Sequence, residues 1–265
     1  MRSLNIPLSL AMAATFGLVA LSSIARAADM PVEYPPIIEA PEPMPLPAVG
    51  GWYLRGDIGY KLYQAPKGSL SSMPWGTTGN GGKMGDEKMF GAADIGVGVG
   101  YKFNDYLRTD LTLDYETPAK FKGSFYCALA PCTGQWRASE SVKITAYSAL
   151  ANVYADLGDF HGLKPYVGAG AGASYLRTSD VKSGMIDTDG TYPDSKGKWN
   201  FAWALMAGIE YPINDRLSLD LGYRYLNLGD AATGSATDSG GNVAHINYED
   251  ITAHEVRVGL RYYLY

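Results

Sequence analysis

The residues of this chain best equipped for chemistry are charged, and they recur in alternation. Arg55, Asp57 and Lys61 share one parity of their segment, as do Asp94 and Lys102 in the next. Arg108, Asp110, Asp114 and Glu116 form a third set, Glu210 stands in a later segment, and Arg216, Asp220 and Arg224 follow it. Glu255, Arg257 and Arg261 lie near the end. The positions between them are largely apolar or aromatic. Side chains of a β-strand alternate with period two, so each set reads as one face of a strand. Acids and bases are nearly balanced on these faces. Enclosed inside a closed sheet they must pair or stay hydrated, because an isolated ion in a low-dielectric interior is too costly. The chemistry implied is ion pairing that plugs a lumen; the sharper alternative is an ion path or gate.

Other reactive residues assemble into less. His161, His245 and His254 are the three histidines. His245 with Glu249 or Asp250 could supply a base and its orienting carboxylate, but no nucleophile motif lies beside them. Cys127 and Cys132, in FYCALAPCTGQW, have too few neighbouring ligands for a metal and favour a small disulfide loop in an exported chain. GVGVG at 96–100 and GAGAG at 168–172 lack the helix and spacing of a nucleotide loop. They read as inward glycines that let charged neighbours pack. DTDG at 187–190 has its glycine too early for a calcium loop. No catalytic, cofactor-binding or metal-ligating set is assigned, and the expectation is a protein without cofactor and without enzymatic activity.

The elements that position the charges begin after an export segment. Met1 and Arg2 precede an apolar run from about Ile6 to Ala20, and Ala25-Arg26-Ala27 has the form of a cleavage site. Residues 1–27 are expected to be a signal peptide. Its removal takes the 22 basic residues to 20 against 27 acidic, a net charge of about −7. That balance, without a basic stripe, excludes nucleic acid as a partner. Residues 28–50, ADMPVEYPPIIEAPEPMPLPAVG, are crowded with proline and read as an extended periplasmic leader.

From residue 51 the pattern is all-β. Strands are expected over 51–63, about 90–103, up to about 117, about 140–157 and about 165–177. Three more are built on Trp199 to Tyr211, on Arg216 to Tyr225 and on the strictly alternating DITAHEVRVGLRYYLY of 250–265. Residues 64–89, 118–139 and 178–197 are expected to be long loops. In the fourth strand Val142 and Ile144 are even whereas Tyr147, Ala149 and Val153 are odd, which predicts a β-bulge near Thr145. NDYLRTDLTLDY and NDRLSLDLGYRY, at 104–115 and 214–225, open on the same Asn-Asp and predict two hairpins of one design. Short turns alternating with long loops, aromatic residues near strand ends, and no run of 18 apolar residues in the mature chain fit an antiparallel up-and-down transmembrane β-barrel. Alternation alone does not say which face is inside; the signal peptide and the small inward glycines favour lipid outside.

GWYLRGDIGY, SALANVYADLG, PYVGAGAGASY, RLSLDLGYRY and VRVGLRYYLY resemble the eight-stranded outer-membrane β-barrel proteins of alphaproteobacteria, related to small surface antigens and OmpA- and OmpX-type barrels. The resemblance covers 51–265. It implies an outer-membrane protein of a diderm bacterium, monomeric, in contact with outer-membrane lipid and lipopolysaccharide, whose loops serve adhesion, envelope integrity or surface exposure, with a host or surface ligand as partner. It also implies a terminal signal for the barrel assembly machinery, in which Arg257, Gly259, Tyr262 and Leu264 occupy the pattern and Tyr265 stands one residue beyond. The alternatives are a small low-conductance pore and, third, an outer-membrane enzyme acting on lipid A or peptides.

Overall fold

A computed structural model describes residues 50–70, 84–127, 136–183, 195–237 and 243–264. Among them there is no helix, and eight staves close into one antiparallel barrel. They are β1 (Gly51–Tyr63), β2 (Ala92–Lys102), β3 (Leu107–Glu116), β4 (Trp136–Asp156), β5 (Lys164–Ser183), β6 (Ser195–Pro212), β7 (Leu217–Ala232) and β8 (Ile246–Tyr263). Each pairs with its neighbours in sequence, and β1 pairs with β8 from Tyr53↔Tyr263 to Tyr63↔Ala253. Closure leaves no free edge, which a strand in hydrocarbon could not tolerate.

The faces follow the alternation. Trp199, Phe201 and Ile58 are 70%, 68% and 65% exposed, while charged residues of opposite parity are buried. A soluble barrel would invert this arrangement; one surrounded by lipid requires it. The two Asn-Asp hairpins do share one turn. Asn104 Oδ1 accepts from the backbone N–H groups of Tyr106 and Leu107 at 2.8 and 2.9 Å, and Asn214 Oδ1 accepts from those of Arg216 and Leu217 at 2.9 and 2.8 Å. The asparagine side chain thus replaces a backbone turn partner at both sites.

Three departures from expectation share a cause. First, 118–139 is not wholly a loop: Ala119–Cys127 is a strand that pairs with the upper part of β4 and continues β3 past Pro118. Gly85–Met89 likewise continues β2, and Lys67–Leu70 continues β1 along β8. Second, β5 and β6 run through 178–183 and 195–197. Third, there is no bulge at Thr145. The rungs are continuous there, and Val142, Ile144, Ala146 and Ser148 all point inward. The irregular rungs lie higher, between Ser141 and Lys143 and between Asn227 and Ala231, with Asp180 and Gly229 at positive φ.

The cause is an apolar core inside the extracellular half of the barrel. Phe121, Val142, Ile144, Leu176, Ile246 and Tyr248 are buried there together. The Phe121 and Tyr248 rings, from opposite sides of the lumen, meet edge to face at 4.8 Å. Above the lipid the barrel wall is wetted outside and dry inside, so the apolar parity reverses without any slip of register. Val142→Ala removes two buried methyl groups and is expected to lower stability by about 2 kcal/mol. Urea titration of the refolded protein in lipid vesicles measures it; a change of a few tenths of that would place Val142 outside the packed core.

Candidate functional site: the lumen and the outer belt

The lower lumen is filled by two linked clusters of charge. In the first, Lys61 Nζ lies 2.5 Å from Glu116 and 3.6 Å from Glu255. Arg224 reaches Asp114 at 2.9 Å and Glu255 at 2.7 Å. Arg257 bridges Asp57, Asp114 at 2.8 Å and Glu255 at 3.0 Å. Arg55 holds Asp57 at 3.0 Å and Asp110 at 3.1 Å. In the second, nearer the periplasm, Arg108 and Arg261 share Glu210, and Arg261 also takes Asp220 at 2.6 Å. Arg108 extends to Asp156 at 3.3 Å. β1, β3, β7 and β8 supply most of these groups: glycine stands among the inward charges of β1, β7 and β8, at Gly59, Gly222 and Gly259, and Thr112 takes that place in β3. Gly96 shows why glycine is needed: a Cβ there would lie 2.5–2.6 Å from atoms of Asp114, Arg257 and Asp57.

The inward tyrosines complete the packing. Tyr53 and Tyr154 hydroxyls donate to Asp110, at 3.1 and 3.3 Å. Tyr166 donates to Asp220 at 2.7 Å, Tyr263 to Glu210 at 2.9 Å, and Tyr63 to Glu116. The Arg108 guanidinium lies 4.5 Å from the Tyr166 ring centre and 4.9 Å from that of Tyr154. Asn152 donates to Asp110 at 2.7 Å. Each carboxylate that accepts these bonds is held in a fixed orientation, which a buried ion pair needs before its attraction can offset its desolvation. These tyrosines, with Asn152 and Asp156, were absent from the charge set read from the sequence. Inward parity is the available signal, and the register shift expected in the fourth strand already turns Asn152 and Asp156 inward; the tyrosines are hidden because tyrosine also suits the lipid interface.

Two residues of that set lie elsewhere. Arg216 is exposed in the turn before β7, one residue short of the strand, so its side chain does not enter the lumen. Lys102 stands at the periplasmic mouth, 2.8 Å from Asp105. Its hydrogen bond and charge hold the Asp105 carboxyl below the usual range. Asp94 is buried beside Asp57 and Asp114, and both of its carboxylate oxygens lack a hydrogen-bond partner. Oxygen atoms of these three aspartates lie within 4.8 Å of one another. A guanidinium rather than a metal fits that space, because Arg257 Nη2 already donates to both Asp57 and Asp114. Cys127 ends its strand, whereas Cys132 and Tyr265 lie outside the described residues, and with them the disulfide expectation. Among the assembly positions, Arg257 and Gly259 face the lumen side of β8, and Tyr262 and Leu264 are exposed outward.

The histidines do not converge. His161 is exposed in a periplasmic turn with φ 59°, His245 stands just before β8, and His254 faces outward, with Nδ1 2.6 Å from the Tyr223 hydroxyl. His254 stacks edge to face on Tyr225 at 5.3 Å, within an aromatic belt. On the other side of the barrel that belt runs Tyr115–Tyr147–Tyr175–Trp199 across four staves, with ring centres 5.0–6.4 Å apart. A second group at the periplasmic end stacks Trp52, Tyr101 and Phe103. Rings with polar edges settle at headgroup level, so the two groups mark the borders of the apolar band.

A closed barrel with lipid-facing apolar staves, a charged interior and two aromatic borders is an outer-membrane β-barrel. The chain belongs to the outer membrane protein beta-barrel domain family, whose profile matches residues 40–263. It is 38% identical over 275 residues to an uncharacterized protein of Brucella suis, covering 93% of this chain and 95% of that one. A Rickettsia prowazekii protein, named as a candidate adhesin, is 28% identical over 213 residues, or 80% of this chain and 86% of its own. Among solved structures it is similar to the Neisserial surface protein A, at 17% identity over 81% of this chain and 97% of the other, with a TM-score of 0.46. It is also similar to OprG of Pseudomonas aeruginosa, at 17% identity over 82% and 97%, with a TM-score of 0.48. The protein resides in the outer membrane of a Gram-negative bacterium, among its lipids and lipopolysaccharide.

Proposed function

We propose that this barrel is a monomeric structural and surface-interaction protein, a rigid support that presents its extracellular connections for adhesion or surface contact. The observation that carries this reading is the filling of the interior. Arg108, Arg224, Arg261, Lys61, Phe121 and Leu176, distributed along the lumen, are each no more than 1% exposed. A packed and salt-bridged interior leaves little room for a permeant path, so recognition falls to the rim and the connections. The candidate-adhesin naming of the Rickettsia relative supports the same reading. It implies that residues 1–27 are removed on export, that 28–50 lie in the periplasm, and that the assembly machinery inserts the chain by its last strand. Catalysis on lipid A or peptides has no support from the separated histidines.

Two measurements test it together. In planar bilayers the purified protein is expected to give no steady current; a sustained open current, lost on neutralising Arg257 or Arg261, would establish the pore instead. Cells displaying the protein are expected to bind a host-cell or matrix surface. Replacing the connections 71–83, 128–135, 184–194 and 238–242 by short Gly-Ser turns should abolish that binding while the barrel still folds. Unchanged binding by the loop-replaced barrel would sink the adhesion reading.

A further inference from the structure

The outer wall above the aromatic belt carries a one-sided cluster of base. Lys88, Lys120, Lys122, Lys143, Arg177 and Lys182 are all exposed on the outer face of the β2–β5 side. The lysines are not scattered. Lys88 stands directly opposite Lys122, and Lys120 directly opposite Lys143. Lys122 and Lys182 both flank Ser141 in the adjoining rungs. Like charges in directly opposed positions, with Cβ atoms about 5 Å apart, destabilise a sheet. Asp180 answers Lys143 at 2.6 Å, but that pair is exposed and offsets little. Asp86 is exposed on the same segment as Lys88, and Glu87 turns to accept from the Gly68 N–H at 2.6 Å, so base still outnumbers acid on this flank. Around the same level on β7, β8 and the continuation of β1 the balance differs: Asp230, Glu249 and Asp250 are present, Lys198 pairs with Asp230 at 3.2 Å, and Lys67 stands opposite Glu249. Base is therefore concentrated on one flank.

The height of the cluster points to its counterion. Arg177 lies two residues beyond Tyr175, and Lys143 four beyond Tyr147, so they stand roughly 7 and 13 Å along the strands from the belt. Lys122 leans back toward the membrane, its Nζ 5.5 Å from the Phe90 ring. Long basic side chains above an interfacial ring belt extend their charge into the headgroup layer. In the outer leaflet that layer holds the phosphate groups of lipopolysaccharide. We propose that Lys88, Lys120, Lys122 and Lys143, with Arg177 and Lys182 at the border, form a binding site for the phosphorylated headgroup of an outer-leaflet glycolipid. The glycolipid phosphates supply further anions to a flank on which base outnumbers acid, and lipid is held against that side of the barrel. A soluble sulfated polysaccharide could meet the same charges, but the position directly over the belt favours a ligand anchored in the leaflet.

The full-length refolded protein in detergent is titrated with bis-phosphorylated lipid A, with dephosphorylated lipid A and with heparin. Lys88→Gln, Lys120→Gln, Lys122→Gln and Lys143→Gln combined should weaken binding of the bis-phosphorylated lipid by about tenfold or more. Asp230→Asn with Glu249→Gln and Asp250→Asn should leave it unweakened, and the dephosphorylated lipid should bind the wild type poorly. Folding is checked by heat-shifted gel migration. If the fourfold variant does not fold, Lys88→Gln/Lys122→Gln and Lys120→Gln/Lys143→Gln are measured separately, each expected to weaken binding several-fold. The proposal is overturned if the lysine variants bind lipid A like wild type, if phosphate removal from the lipid has no effect, or if the lysines govern heparin binding alone.

Discussion

Arg224→Met is expected to cost about 3 kcal/mol or more of folding stability, although the substitution keeps the bulk of the side chain. Arg224 is 1% exposed and holds Asp114 and Glu255 at 2.9 and 2.7 Å. Its removal leaves two buried carboxylates short of a partner; Arg257 and Lys61 are the cations still in reach among the described residues, and the Ser148 hydroxyl donates to Asp114 at 3.3 Å. Breaking one side of a buried pair costs more than the pair contributes, because the remaining charge can neither rehydrate nor relax. Two comparisons separate this cause from lost packing. Glu255→Gln added to Arg224→Met should recover part of the loss, giving a coupling energy of about 1–3 kcal/mol in a double-mutant cycle. Arg216→Met, on an exposed turn residue, should change stability by less than about 0.5 kcal/mol. Equilibrium urea unfolding in lipid vesicles reads all three. Equal losses for Arg224→Met and Arg216→Met, with no coupling to Glu255, would show that the lumenal pairs do not carry stability.

What the sequence made legible was parity. A strand cannot turn one residue aside, so Arg55, Asp57 and Lys61 had to share a face, and Trp52, Leu54 and Ile58 the other. The two Asn-Asp turns were legible for a different reason, because an asparagine side chain that replaces a backbone partner is a local feature. What it did not make legible was the level at which the surroundings change. Parity says which residues lie together, but the solvent on each side depends on height. The change of phase between even Val142 and Ile144 and odd Tyr147 and Ala149 predicts a slipped register, because a single parity with a single environment would keep all apolar residues on one face. Val142 and Ile144 point inward at a level where the interior is dry, next to Phe121 and Leu176. Arg216 shows the opposite error. It had the right parity, yet it lies in the turn, where parity no longer places a side chain.

The tyrosines were ambiguous for a third reason. Tyr166 and Tyr175 lie on the same stave, one donating to a lumenal aspartate and the other stacked in the outer belt. Their residue type is the same, and only parity separates them: Tyr166 shares the inward face of β5 with Ser174 and Leu176, and Tyr175 lies on the other face. Parity does not name the partners, which come from β7 in one case and from the neighbouring rungs of β4 and β6 in the other. Ion pairs raise the same problem: Arg224 and Asp114 are 110 residues apart, and only the closed barrel brings them within 2.9 Å. Long-range pairing of this kind is a property of closure, and closure depends on the final strand.

Deleting Tyr262–Tyr265 is expected to reduce the protein in the outer membrane to a small fraction of wild type. Tyr262 and Tyr263 pair with Leu54 and Tyr53 of β1, and Tyr262 also with Leu217 of β7. The Tyr263 N–H donates to the Arg216 carbonyl at 2.7 Å, and the Leu264 N–H to that of Trp52 at 2.9 Å. The Tyr263 hydroxyl adds its bond to Glu210, and its ring lies 5.7 Å from Tyr53. The deletion thus opens the periplasmic end of the seam and removes the positions proposed to be read during assembly. Refolding without any cellular machinery separates these effects. If the truncated chain refolds in vesicles but is absent from the outer membrane, the lost feature is a recognition signal. If it fails in both settings, the lost feature is the seam. Tyr262→Ser with Leu264→Ser sharpens the distinction, since both side chains point outward and the backbone pairing remains; this pair should assemble poorly in cells while refolding in vesicles. Outer-membrane fractions probed by immunoblot, with heat-shifted migration as the measure of folding, give the result, and normal levels of the truncated chain would refute both roles of the last strand.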